Sequence, residues 1–225
     1  MFRFAGYYFA ALFGCALLAF WKTYVVELPG DFHPYFHIHA IVMILWLSIA
    51  IAQPFLIRRD QRVLHRALGR VSYVLVPIFA VTTLLLVQQR LRAVPDEMLH
   101  EVVHFFYLPI AMVVLLVAPY TLAVIHRRTV ALHARWMICT SLAMIDPVFG
   151  RIFGIYFPPL PLDLQLVSFL ISIAILGVFM IVERKQRVGR HVFPTMMLVT
   201  AGIYALFFTF ARTDAWAGLM TWFRG

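Results

Sequence analysis

Seven apolar runs of about 20 residues constrain the fold of this chain more than any other feature. The runs cover residues 4–26, 35–57, 71–91, 105–125, 136–157, 164–182 and 192–211. An α-helix of that length crosses the hydrocarbon of a bilayer and satisfies its own backbone polar groups there. Because 63% of the residues are hydrophobic and only 13% are charged, we predict an all-α, polytopic membrane helix bundle. It has seven transmembrane helices and forms a single domain over residues 1–225.

The positions of the basic residues predict how the bundle is oriented. If the N-terminus lies inside, thirteen of the 19 Lys and Arg residues fall in inner loops and six fall outside. The positive-inside bias therefore favours an N-in, C-out protein, and we expect the bacterial inner membrane. The net charge of +9 is then mostly a collar beside lipid headgroups. We accordingly expect the lipid bilayer as a partner, and no nucleic acid.

Histidines concentrate at the predicted helix ends, on both sides of the membrane. The outer ends of helices two and four carry His37, His39, His100 and His104. The inner ends of helices three and five carry His65 and His133, in the partly similar segments "VLHRALGR" and "ALHARW". Alternate helices of a bundle can face each other across a common core. Each pair of helices could therefore hold a cofactor between its histidines.

The segment "HEVVH", residues 100–104, matches the helical HExxH signature of zinc proteases. That motif works because its two histidines share one helical face while Glu101 reaches the metal-bound water. Intramembrane zinc proteases usually take a third ligand from a Leu-Asp-Gly segment, which this chain lacks, and carry the motif near the inner side. The predicted outer position therefore argues against a protease. A zinc or copper site formed by His37, His39, His100 and His104 stays open.

Haem b is the cofactor that fits both histidine groups. At the outer site, His104 and either His37 or His39 could be axial ligands, because residues two apart cannot both face inward on a helix. At the inner site, His65 and His133 could bind a second iron. Three arginines could neutralise the propionates there: Arg66, Arg70 and Arg135. We expect the outer site to be the stronger one, because it has surplus imidazoles beside an apolar surround.

Two charged residues fall inside the fifth apolar run. Asp146 and Arg151 lie in "AMIDPVFGRIF", where an unpaired charge would be costly. They are five residues apart, so direct pairing along one helix is imperfect. We expect them to meet a partner on another helix or a carboxylate of a cofactor.

The segments "HIHAIVMILWLSIAIAQPFLIRR…LHRALGR" and "LHARWMICTSLAMIDPVFGRI" resemble a family of predicted bacterial membrane proteins that is defined by a domain of unknown function. The resemblance spans about residues 36–152. It implies a functional core of helices two to five, about residues 31–157, and implies no activity. This chain departs from the family by placing Ala134 where a longer basic cluster is common. A looser similarity is to the ascorbate-reducible di-haem cytochromes b, whose axial histidines lie on helices two and four and on helices three and five.

Three functions follow from these observations. The first is a haem b protein for transmembrane electron transfer or haem handling, with a redox protein or respiratory complex as partner. The second is a seven-helix, metal-dependent membrane hydrolase that acts on lipid. The third is a non-catalytic accessory or assembly subunit in which the histidines only anchor helix ends.

Overall fold

A computed structural model describes residues 4–28, 30, 32–157 and 163–225 of the chain. Residue 31, at which the expected core begins, lies outside this part. Within the described residues the regular structure is helical, and seven helical spans are long and apolar enough to cross a membrane. This confirms the predicted fold class. The spans, numbered one to seven, are Ala5–Val25, Pro34–Arg58, Arg62–Arg92, Asp96–Ile125, Val130–Tyr156, Leu164–Val182 and Val192–Arg212.

Several spans consist of more than one helical element. Spans two, three and six are the single helices α2 (Pro34–Arg58), α3 (Arg62–Arg92) and α8 (Leu164–Val182). Span one is α1 (Ala5–Phe20) with a π-helical end. Span four consists of α4 (Asp96–Val102), a 3₁₀ turn (Val103–Phe106) and α5 (Tyr107–Ile125). Span five consists of α6 (Val130–Cys139) followed by α7 (Leu142–Tyr156). Span seven is α9 (Val192–Phe208) with a 3₁₀ end, and α10 (Asp214–Arg224) follows it.

Helix α3 begins earlier than the apolar run that predicts it. The sequence suggests a long inner loop up to residue 70, but the chain turns within three residues after α2, where Asp60 adopts a φ of 55°. Leu, Ala and Arg are good helix formers, so the helix continues beyond the apolar run into a basic segment. His65 therefore lies on the helix and not in a loop.

The first five spans form a closed ring. Helix α1 packs on α2 and α7, α2 packs on α3, α3 packs on α5, and α5 packs on α6 and α7. At the centre of the ring Trp46 contacts Tyr120, with ring centroids 5.5 Å apart, and the Tyr120 hydroxyl lies 2.8 Å from the Ser72 hydroxyl. Helix α8 packs on α7 and α9, and α9 also packs on α6. Spans six and seven therefore lie on one side of the ring.

A short amphipathic helix, α10, closes one end of spans three and four. The Trp216 indole N–H donates to the Val103 carbonyl over 3.1 Å, and Gln88 Nε2 donates to the Phe223 carbonyl over 2.9 Å. Arg224 pairs with Asp96 at the start of α4. Trp222 is 77% exposed on the opposite face, as expected for a helix that lies in the membrane interface. We call this end of the bundle the outer end and the opposite end the inner end, in keeping with the predicted N-in, C-out orientation.

Candidate functional site

The inner end of the bundle brings two histidines together. His65 is the fourth residue of α3 and His133 is the fourth residue of α6. Both helices pack on α5, which directs the two side chains toward each other. The ring centroids are 6.5 Å apart and the ring planes are nearly perpendicular, at 80°. The structure therefore joins the two inner histidines that the sequence proposed as a pair.

The backbone fixes which nitrogen of His133 carries a proton. His133 Nδ1 lies 2.9 Å from the carbonyl oxygen of Ala123, on α5. A carbonyl can only accept, so Nδ1 must donate its N–H. In a neutral imidazole the lone pair then belongs to Nε2, the nitrogen on the far edge of the ring. This arrangement is the one that orients histidines which bind metals.

In and beside this pair, three buried polar atoms have no hydrogen-bond partner among the described residues: His65 Nδ1, Gln53 Oε1 and Trp136 Nε1. Gln53, on α2, donates from its side-chain Nε2 to the backbone carbonyl of His65 over 3.1 Å. This hydrogen bond holds the Gln53 side chain beside the start of α3. Trp136 follows His133 by one turn of α6. A buried polar atom without a partner loses about 1–3 kcal/mol of solvation free energy. The inner cluster of His65, His133, Gln53 and Trp136 therefore contains three polar atoms that protein atoms of the described residues leave without a hydrogen bond.

The three arginines expected at the inner site have different surroundings. Arg66 and Arg70 are exposed on the first turns of α3. Arg135 is buried and forms an ion pair with Glu183, just after α8. Its guanidinium also donates to the Ala131 carbonyl over 2.7 Å. Arg135 therefore has a carboxylate partner within the protein, whereas Arg66 and Arg70 lie at the exposed surface.

The outer histidines of α2 contact other parts of the chain. The Nδ1 atom of His37 lies 2.8 Å from the hydroxyl of Tyr24, in span one. The Nδ1 atom of His39 lies 3.1 Å from the Thr82 hydroxyl, and its ring lies 5.4 Å from the ring of Phe79, both on α3. Each imidazole thus has a hydrogen-bond partner on a neighbouring helix. Nothing in the sequence pattern identifies these two hydroxyl partners, because they depend on helix rotation.

The HExxH segment does not form one regular helical face. Helix α4 ends at Val102, and His104 lies in the 3₁₀ turn that follows. His104 packs on Phe105 and Phe207, with centroid distances of 4.0 and 6.0 Å. Within the described residues no group of three His, Cys, Asp or Glu side chains is arranged to hold a metal. His100, Glu101 and His104 instead line a cleft of about 260 Å³ with Arg212 and Thr213.

Asp146 and Arg151 meet partners on other spans. The Tyr204 hydroxyl of α9 donates to Asp146 Oδ1 over 3.1 Å. The Arg151 guanidinium donates to the Pro147 carbonyl over 3.0 Å and stacks on Phe20, 4.4 Å from the ring centroid. Among the ion pairs of the described residues, none joins Asp146 to Arg151. The expected partner on another helix thus exists for each residue.

Comparisons of the chain with protein-family models, with curated proteins and with solved structures return no match. By its fold, the chain is a helical protein whose described residues include seven spans long and apolar enough to cross a bilayer.

Proposed function

We propose that this chain binds haem b through His65 and His133 and serves transmembrane electron transfer or haem handling in a bacterial inner membrane. The observation that supports the proposal is the ring contact between the two imidazoles. Two imidazoles that bind one metal from opposite sides at about 2.0 Å have ring centroids about 6 Å apart. The observed separation of 6.5 Å is close to that value.

The number of ligands favours haem over a free metal ion. A protein zinc site uses about three or four protein ligands, and the described residues provide no such group of His, Cys, Asp and Glu. Haem iron needs only axial ligands from the protein, because the porphyrin occupies the other positions. Two histidines are therefore a sufficient set for haem. When bound, haem b supplies a one-electron iron couple whose potential depends on its axial ligands and on burial.

The residues of the inner cluster have separate roles in this proposal. Ala123 holds His133 in the tautomer that presents Nε2, and Gln53 holds the backbone of His65. Arg66 and Arg70 are the exposed cations that can pair with propionates. Helices α3 and α6 are joined mainly through α5. A flat group can therefore enter between the histidines with less repacking than between two helices in direct contact.

The geometry favours this inner pair over the outer pair that the sequence ranks first. Among the ring contacts of the described residues, none joins His37 or His39 to His104, and His104 packs among phenylalanine rings near span seven. A hydrolase centred on His100, Glu101 and His104 has no supporting metal group in the described part of the chain. Of these candidate functions, haem binding at the inner pair is therefore the one that the geometry supports best.

An absorption spectrum of the purified protein tests the proposal. We expect a Soret band and a bis-histidine reduced spectrum, both lost in His65→Ala and in His133→Ala. His191→Ala is the matched control, since His191 is exposed on the same side of the bundle, just before α9. Elemental analysis runs in parallel. Stoichiometric zinc or copper without a Soret band would replace haem by a metal ion. Absence of both would leave the accessory-subunit function in its place.

A further inference from the structure

A second site lies at the outer end, where three cationic side chains stack on aromatic rings. Lys22 Nζ lies 4.8 Å from the centroid of Tyr156, Arg90 lies 5.4 Å from that of Phe36, and Arg151 lies 4.4 Å from that of Phe20. We call Lys22, Arg90 and Arg151 the outer cationic cluster. The rings hold the cations in place and stabilise their charge. The cluster gathers side chains from spans one, three and five at one mouth of the ring.

In the part of the chain that the structure describes, no carboxylate forms an ion pair with a member of this cluster. Arg90 and Asp146 both lie within electrostatic range of Arg151. Asp146 accepts a hydrogen bond from Tyr204 and forms no ion pair with Arg151 or Arg90 in the described part of the chain. The imidazole of His39 also lies in electrostatic range of Arg151, and it cannot supply negative charge. Within the described residues, the two guanidiniums thus lie in electrostatic range of each other, and neither forms an ion pair with a carboxylate.

The hydrogen-bond donors of Arg151 are also incompletely used. A guanidinium has five N–H donors in a planar fork. Arg151 is half-buried and donates to one backbone carbonyl, that of Pro147. A guanidinium that has donors available for further hydrogen bonds favours a ligand with several acceptor oxygens. A phosphate, which provides oxygens for more than one cation, satisfies this requirement.

The depth of the cluster indicates where such a phosphate comes from. Arg151 lies five residues before the end of α7 at Tyr156, or about 7.5 Å along the helix axis. Arg90 lies two residues before the end of α3. These positions are level with the headgroups of the outer leaflet, and Phe20 and Phe36 offer apolar walls to an acyl chain. We propose that the outer cationic cluster binds the phosphate of a lipid headgroup.

Native mass spectrometry of the detergent-purified protein tests this site with defined probes. Dioleoyl phosphatidic acid is compared with dioleoyl phosphatidylcholine, in which the quaternary ammonium of choline balances the charge of the phosphate. We expect wild-type protein to retain phosphatidic acid in preference. Arg151→Gln and Arg90→Gln should each weaken that retention by about tenfold, because each removes a charge-assisted set of hydrogen bonds. Arg212→Gln is the control, since it removes an exposed outer charge at the end of span seven and should change retention by less than about twofold.

Three results would overturn the proposal. One is equal retention of the two lipids by wild-type protein, and another is an equal loss in all three variants, which would indicate nonspecific attraction. The third is full displacement of the lipid by inorganic phosphate, which would exclude a lipid as the source of the oxyanion. Arg151→Gln must remain monodisperse to be informative. If it does not fold, Arg90→Gln decides the question, because Arg90 is exposed and tolerates substitution. This test does not depend on haem binding at the inner pair.

Discussion

Arg135 and Glu183 form a buried ion pair that joins span five to the end of span six. Their side chains are only 2% and 7% exposed, so both charges are withdrawn from water. Arg135 lies two residues after His133 on α6. The ion pair therefore fixes the position of the short helix that carries one of the two inner histidines.

Glu183→Gln should destabilise the protein by about 3 kcal/mol, because it removes the carboxylate that pairs with the buried guanidinium of Arg135. The free energy of unfolding in mixed detergent micelles measures the effect. Asp60→Asn is the matched control: it breaks an ion pair with Arg62 whose side chains are 81% and 75% exposed. Such a pair contributes less than about 1 kcal/mol. Equal losses in the two variants would show that the Arg135–Glu183 pair does not stabilise the fold.

The turn that follows span six requires glycine at position 189. Gly189 has a φ of +77°, which L-residues rarely adopt, and a Cβ there would lie 3.0 Å from Arg135 Nη1. Gly189→Ala should therefore destabilise by about 1–3 kcal/mol. Gly202→Ala is the control, since a Cβ at this helical position meets nothing within 4 Å. It should be neutral or stabilising by up to about 1 kcal/mol. Unfolding midpoints of the two variants that shift equally downward would contradict this account.

The seven spans were predictable because an apolar run of bilayer length has no alternative that satisfies its backbone. The ends were less predictable. Residues 62–70 continue α3 and residues 214–224 form α10, yet both segments carry charges that hydropathy assigns to water. A helix can extend beyond the hydrocarbon, and hydropathy does not detect that extension. The break of the HExxH segment into a 3₁₀ turn also has no signal in the motif.

Pairing of the candidate site residues was predictable only in part. The sequence placed His65 and His133 at the same end of the bundle, and the structure brings their rings together. The sequence could not rank that pair above the outer histidines, because which histidines face each other depends on how each helix is rotated. Thr82 on α3 and Tyr24 in span one engage His39 and His37. The sequence offers one indication that Glu183 forms an ion pair, since it is the only acidic residue in the basic segment "ERKQRVGR".

Helix α10 should detach when its indole anchor is changed. Trp216 is 4% exposed and donates its N–H to Val103. Trp216→Phe keeps the aromatic packing but removes this hydrogen bond, so we expect a loss of about 0.5–1.5 kcal/mol. Trp222→Phe is the control, because Trp222 is 77% exposed. Limited proteolysis should cleave α10 faster in Trp216→Phe than in Trp222→Phe. Identical cleavage rates would mean that the hydrogen bond does not hold α10 in place.

Cysteine labelling on the two ends of span four should establish the orientation of the bundle. Glu97 lies in the first turn of α4 and Arg127 lies just after α5, and both are exposed. In a background lacking Cys15 and Cys139, an impermeant maleimide added to intact spheroplasts should label Glu97→Cys and leave Arg127→Cys unlabelled. Permeabilised membranes should label both variants equally, which controls for reactivity. This result is expected because basic residues concentrate at the end that carries Arg127. The opposite pattern would place His65 and His133 on the outer face, so that their redox partner would have to lie outside the cytoplasm.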